Sequence, residues 1–333
     1  FCYILFTMPE RLPPAEQLAN LKKLQSEFEA AYAKGVKTGD AARAEELKTQ
    51  IETGAVSLRE SLDSRPNAER ILGDNFISSE KVGGITDDDG VRVFAIPNRA
   101  PLKISAQELE NEKVLGHERY WVPDAFTEDI VRKHGFPDGR ITMQRLATVF
   151  TNKAHDGKPL LFSIDWYKNE AFFTTEALSA GYRSTSKEVV PGSLSKNYLQ
   201  QTDLLVTYLR TNVFKNVPLP DEYAKAIAEY ESRRDEIQAL MTPEKWKDAS
   251  EILSGLTITK LTRESPAEAL YRLVLMSRVK QQKLLPSSYS WTSGRASGGS
   301  LVYVGRFDGH GAYVGRRAPA LSDGGLGACF SRM

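Results

Sequence analysis

Apolar residues recur at three- and four-residue steps across residues 15–62. Leu21, Leu24, Phe28 and Ala31 form one seam, and Ala44, Leu47, Ile51, Gly54 and Leu58 form a second. That spacing predicts two amphipathic helices, a helical hairpin over 8–64, with Gly35 and Gly39 breaking the run and Asp40 as the second N-cap. Helical spacing returns over 195–283. Ser195 is expected to open one helix, with Tyr198, Thr202, Leu205 and Leu209 on one face. Asp221 is expected to cap the next, and Thr242-Pro243 to open a short third. Ser265-Pro266-Ala267-Glu268 combines an N-cap, a proline at the first helical position and a glutamate at the third. Near Pro286 the period switches from 3.6 to 2. Leu301–Phe307 and the stretch from Ala312 alternate around Asp308-Gly309, which predicts an antiparallel hairpin, and Leu326–Arg332 supplies a closing strand.

Between these regions, Ser64-Arg65-Pro66 reads as a boundary, followed by one domain over 66–333. Val91–Ile96 alternates like a strand. Ser105 with Glu108 makes a capping box for a helix to Gly116, and Thr142–Val149 reads as another helix. Leu160–Tyr167 has the composition of a buried strand, and Gly181–Val190 ends in β-branched residues. No repeat of fixed period appears. The result is an α+β protein: an N-terminal helical hairpin, early strands, a helical insertion over 195–283 and a C-terminal β segment over 286–332.

Composition changes this picture mainly at the C-terminus. Residues 286–333 contain ten of the 24 Gly, eight Ser and five Arg, with no Lys, Glu, Asn, Gln or Ile. Tyr with Ser, Gly and Arg is the palette of adaptable binding surfaces, because Tyr gives rigid contact area and Arg gives forked donors. The net charge is +1, which lacks the footprint of a general nucleic-acid binder. Cys2 and Cys329 do not make a disulfide framework. Phe1–Thr7 is apolar but too short to span a membrane, and Met8-Pro9-Glu10 reads better as the start. On that reading no export signal follows Met8, and a cytoplasmic location is expected.

Tests for chemistry come out bland. His117, His134, His155 and His310 show no metal-ligand spacing, so no metal or cofactor is expected. Counting back from Gly90 in Asp87-Asp88-Asp89-Gly90 puts Ile85 where a calcium loop needs an acid. Gly309-His310-Gly311 is followed by strand rather than the helix that a dinucleotide loop requires. There is no Gly-x-Ser-x-Gly, and Cys329 has no suggestively spaced histidine. Asp165 and Glu170 flank Trp166-Tyr167 and could serve acid–base work on a sugar, although solvated acids at a strand end explain them more simply. No catalytic residue is assigned.

Trp291-Thr292-Ser293, Phe307-Asp308-Gly309 and Gly327-Ala328-Cys329-Phe330-Ser331-Arg332, in that order, resemble the C-terminal half of C-type lectin-like domains, including formylglycine-generating-enzyme-like modules. The match covers about a seventh of the chain. The chain as a whole is also similar to uncharacterised proteins of uncultivated bacteria. The resemblance implies a lectin-like fold from about residue 66 and loops gathered on one face. It does not bring calcium-dependent sugar binding, because the Trp-Asn-Asp pattern is replaced. A single Cys329 also departs from the reactive cysteine pair of the formylglycine-generating enzymes. Lectin-like proteins diversified by retroelements vary in this segment, although such regions are often rich in Asn and this tail has none. The expected face comprises Tyr289, Arg295, Ser297, Asp308, His310, Tyr313, Arg316, Arg317, Ser322 and Asp323. Its expected occupant is a protein or other macromolecule, acidic or bearing carboxylates, because Arg316-Arg317 would offer guanidinium forks. Two alternatives stand beside this. One is an enzyme with a dispersed site, using two or more of Asp165, Glu170, His117, His134 and His155 in mutual contact. The other is self-association through residues 15–62 as a short coiled coil.

Overall fold

A computed structural model describes residues 14–38, 42–61, 63–96 and 101–333. The expectations placed on Phe1–Thr7, Met8, Cys2, Gly39 and Asp40 lie outside the described residues. The chain divides into two compact units, one within Phe1–Pro66 and Pro101–Ile104, the other within Asn67–Ala100 and Ser105–Met333.

In the first unit, α1 (Pro14–Thr38) packs against α2 (Ala42–Ser61). The seams meet as the periodicity requires: Leu21, Leu24, Phe28 and Ala31 are half-buried, and Ala44 and Leu47 are buried. Gly35 does not break the run, since α1 continues through it to Thr38. The segment 101–104 is tied to this unit by backbone and side-chain bonds from Asp63 and Ser64.

The second unit is mixed α and β. Its helices are α3 (Arg65–Leu72, in this unit from Asn67), α4 (Ser79–Gly83), α5 (Ala106–Val114), α6 (Glu128–His134), α7 (Met143–Val149), α8 (Ala171–Thr174), α9 (Tyr198–Tyr208), α10 (Asp221–Leu240), α11 (Trp246–Gly255), α12 (Thr257–Thr262) and α13 (Pro266–Lys280). The capping boxes predicted at Ser105/Glu108 and Ser265/Glu268 are both formed, and Thr142 caps α7. Other starts differ from expectation. Ser195 has a left-handed backbone (φ 58), and the box that opens α9 is Asn197 with Gln200. Asp221 is the first residue of α10 rather than its cap, and the third helix starts at Trp246.

Strands form two four-stranded sheets. The first has the order β1 (Phe76–Ile77), β2 (His117–Val122), β3 (Gly181–Ser186), β8 (Ser331–Arg332). The second has the order β6 (Gly311–Arg317), β5 (Leu301–Asp308), β4 (Tyr289–Arg295), β7 (Leu326–Gly327). The expected hairpin is β5–β6, paired antiparallel from Leu301↔Arg317 to Asp308↔Gly311.

The expected closing strand Leu326–Arg332 is split between the two sheets as β7 and β8, and two other expected strands are absent as strands. Val91–Ile96 makes only isolated bridges, Arg92 to Thr86 and Phe94 to Phe126. Leu160–Tyr167 is irregular: Leu160 and Leu161 are buried, but Phe162 and Ile164 are 54% and 40% exposed. Its backbone groups are satisfied one at a time. Leu161 N–H donates to the Asn152 side chain, and Phe162 N–H donates to the Ala312 carbonyl. Composition alone does not separate a buried strand from a segment with one apolar edge facing water.

Helix α13 is buried on every side from Pro266 to Ser277. It packs on β4 and β5, while its Tyr271 hydroxyl donates to the Trp121 carbonyl of β2 at 2.7 Å. A helix enclosed this way must neutralise each polar side chain it carries. Arg272 therefore makes a two-pronged pair with Glu264 (2.8 and 2.9 Å), and Glu268 pairs with Arg183 of β3.

Candidate binding face of the C-terminal sheet

Antiparallel register sets Tyr289 of β4 opposite Gly305 of β5, which in turn faces Tyr313 of β6; Trp291, Tyr303 and Gly315 form the next row. Side chains at alternate positions share a sheet face, so these residues form one aromatic ladder. Ring centroids lie 5.5 Å apart for Trp291–Tyr303, 5.4 Å for Tyr289–Tyr303 and 5.7 Å for Tyr289–Tyr313. The ladder runs from a fully buried Trp291, edge-on to Tyr198, to an exposed Tyr313. Gly315 is required here, because a Cβ at this position would lie 2.2–2.4 Å from the Tyr303 ring.

Beside Tyr313 is a hollow of about 270 Å³ lined by Phe162, Arg306, Asp308, His310, Gly311 and Tyr313. The Phe162 and Tyr313 rings are 6.0 Å apart. Phe162 also borders a second hollow of about 490 Å³, which includes Gln144, Thr148, Asn152, Ile164 and Lys168. Phe162 is thus a ridge between two depressions.

Arg306 reaches the first hollow through a bulge. Gly305 pairs with Tyr313 but Asp308 pairs with Gly311, so β5 carries one extra residue. Bulges re-aim side chains, and here Arg306 takes a left-handed backbone (φ 44) that a residue with a Cβ seldom adopts. Its contacts are long: Nε lies 3.5 Å from Asp308 and Nη1 lies 3.4 Å from the Tyr289 hydroxyl. The Tyr289 hydroxyl bond and the nearby charge raise the Arg306 pKa above its ordinary value.

The ten residues expected to form one face separate into three groups. Tyr289, Asp308, His310 and Tyr313 surround or adjoin the hollow, with the Asp308 carboxylate accepting from His310 N–H at 2.8 Å. Ser297 and Arg316 converge on Glu170: Ser297 donates through N and Oγ at 2.7 and 2.8 Å, and Arg316 lies 4.0 Å away, its guanidinium over Trp166. Arg295, at the edge of this loop, pairs with Glu251 at 3.3 Å. Arg317 pairs with Asp323 at 3.2 Å, and its bond with the Tyr303 hydroxyl raises its pKa. Ser322 is exposed in the loop before Asp323.

Arg316 and Arg317 therefore lie on opposite faces of β6. Adjacent strand residues point to opposite faces, and each already has an acid beside it.

Sequence reasoning missed Arg306 and Phe162. The sequence held no signal for Arg306, because Leu301–Phe307 keeps period 2 and the extra residue shows only in the pairing of β5 with β6.

The five acids and histidines considered for a dispersed site have separate partners. Asp165 accepts from Ser163, Glu170 from Ser297, and His155 Nδ1 lies 2.9 Å from Ser277 Oγ. The His134 ring stacks on Phe136, and buried His117 bonds the Tyr208 hydroxyl at 2.8 Å. Asp87 is buried; it closes its turn by accepting from Asp89 and Val91 N–H, with Lys133 bridging Asp87 and Asp89. Cys329 is buried, and burial pushes its thiol pKa up. Among the described residues no group of three or more His, Cys, Asp or Glu could hold a metal ion, and no helix is long and apolar enough to cross a membrane.

Fold and site together define a mixed α+β protein whose C-terminal sheet carries an exposed aromatic hollow. No family model, curated protein or solved structure matches the chain.

Proposed function

We propose that this protein is a binding module that holds another protein against the outer side of the β5–β6 hairpin and the adjoining 160–164 segment. The observation that carries this reading is the pair Phe162 and Tyr313, two exposed aromatic rings walling one hollow. Exposed aromatic clusters next to a depression are where interfaces concentrate binding energy. The Tyr/Ser/Gly/Arg composition of the segment and its lectin-like motifs support the same face. Arginine–acid pairs around it would form a polar rim able to exchange partners on contact.

Selection of peptides from a random displayed library against the intact protein tests this. Enriched peptides should lose about 30-fold or more in affinity with Phe162→Ala or Tyr313→Ala, the scale of about 2 kcal/mol typical of hot spots. Peptides whose binding ignores both substitutions would remove this face.

A further inference from the structure

We infer that the hollow beside Tyr313 takes the C-terminal residue of a partner chain when that residue is aromatic, its ring against Phe162 and Tyr313 and its carboxylate on Arg306. This inference rests on the binding reading above and names the chemistry of its anchor.

Size comes first. At about 270 Å³ the hollow is below the usual range for whole small-molecule sites and suits a single side chain. Its walls select the kind of side chain: two rings 6.0 Å apart, with Tyr289 packed edge-on behind Tyr313. A third ring gains both area burial and edge or offset stacking there.

Arg306 supplies the second requirement. Its Nε is directed to Asp308 and Nη1 only loosely to Tyr289, at 3.5 and 3.4 Å, while the side chain is 59% exposed. The outer Nη1–Nη2 edge therefore remains open to a carboxylate, the bidentate arrangement that guanidinium favours. A left-handed backbone at a non-glycine position is strained, and such strain concentrates where a side chain must be held in place for a ligand. Rings and guanidinium line the same one-residue hollow, so a single residue carrying both an aromatic group and a carboxylate meets both. In a polypeptide only the last residue carries both, and capture of a terminal carboxylate is a known mode of peptide recognition. The ridge at Phe162 and the second hollow beyond it give the preceding residues a path.

The probe is N-acetyl-5-fluorotryptophan, followed by fluorine NMR during titration with the full-length protein. Its amide and free 5-fluorotryptophan serve as comparisons. The acid is expected to bind at least about tenfold more tightly than the amide, the difference made by one charge-assisted contact. Arg306→Gly should remove that preference while the protein stays folded, since glycine adopts the left-handed conformation without strain. Phe162→Ala should weaken acid and amide alike. Equal binding of acid and amide, or an unchanged preference in Arg306→Gly, overturns the inference. Tighter binding of the free amino acid than of its N-acetyl form overturns the chain-terminus assignment. Selected peptides that depend on Phe162 and Tyr313, together with no response to the acetylated acid, would remove this inference and leave the binding face standing.

Discussion

In the first sheet the side chains of Arg119, Arg183 and Arg332 are 3–9% exposed, and each meets a buried or half-buried carboxylate at close range. In the second, Arg306, Arg316 and Arg317 are 40–59% exposed, and their acids lie 3.2–4.0 Å away. The same residue type does different work in the two sheets. A guanidinium taken out of water needs a carboxylate against it, so the first sheet ties Glu112 to both Arg119 and Arg332, and Arg332 onward to Glu108. A guanidinium left in water gains little from its neighbour and can trade it for a ligand. Charge is structural in one sheet and available in the other.

The sharpest way to break this comparison is to remove one acid from each sheet. Glu112→Gln strands buried Arg119, leaves Arg332 with Glu108 alone, and is expected to cost about 3–5 kcal/mol in urea unfolding. Asp323→Asn, which removes the partner of Arg317, should stay within about 1 kcal/mol. Equal losses would mean that the exposed pairs are structural too.

Acid sharpens it further, through two groups of the first sheet. Burial depresses the His117 pKa from 6.5 to about 4, against the attraction of Glu112 and alongside Arg332 and Arg119. Burial would raise Glu112, but Arg119 and Arg332 outweigh it and hold the carboxyl at about 2. For His117 the unfolded chain takes up the proton first, so stability falls as pH drops from about 6.5 to about 4. For Glu112 the contribution is complete above about 4.5 and is lost as pH falls toward 2. Each shift corresponds to something on the order of 3 kcal/mol. Melting temperature against pH should therefore decline in two stages, and His117→Gln, which cannot titrate, should abolish the upper one. A flat profile between pH 6.5 and 4.5 in the unsubstituted protein would contradict this.

Smaller effects than that of Glu112→Gln are expected on the aromatic ladder. Gly315→Ala drives a methyl group into the Tyr303 ring and should cost about 1–3 kcal/mol, with a change in the near-ultraviolet tyrosine circular dichroism. Tyr313→Ala, further out on the same ladder, should change stability by no more than about 0.5 kcal/mol. A larger loss at Tyr313 than at Gly315 would make the outer ring part of the core.

Much of the local architecture was legible in the chain. The helix starts at Ser105, Thr142 and Ser265 follow from side chains that satisfy backbone N–H groups three residues on. The β5–β6 hairpin follows from alternation around Asp308-Gly309. The start of α9 is also written locally: Asn197 with Gln200 makes as good a capping box as Ser105 with Glu108, and it sets the start two residues beyond Ser195. Arg316 and Arg317 are adjacent in sequence, yet a strand sends such neighbours to opposite faces.

What the sequence determined by itself is therefore whatever is written at spacings of two to four residues: helix faces, caps and the hairpin. The tertiary structure alone decided which charges are buried and which aromatics are exposed. Glu112 meets Arg332 across 220 positions, and Phe162 N–H meets the Ala312 carbonyl across the gap between an irregular segment and a strand edge. No short spacing encodes such meetings. They depend on which surfaces the whole chain brings together, and burial is a property of those surfaces rather than of any residue's neighbours in sequence.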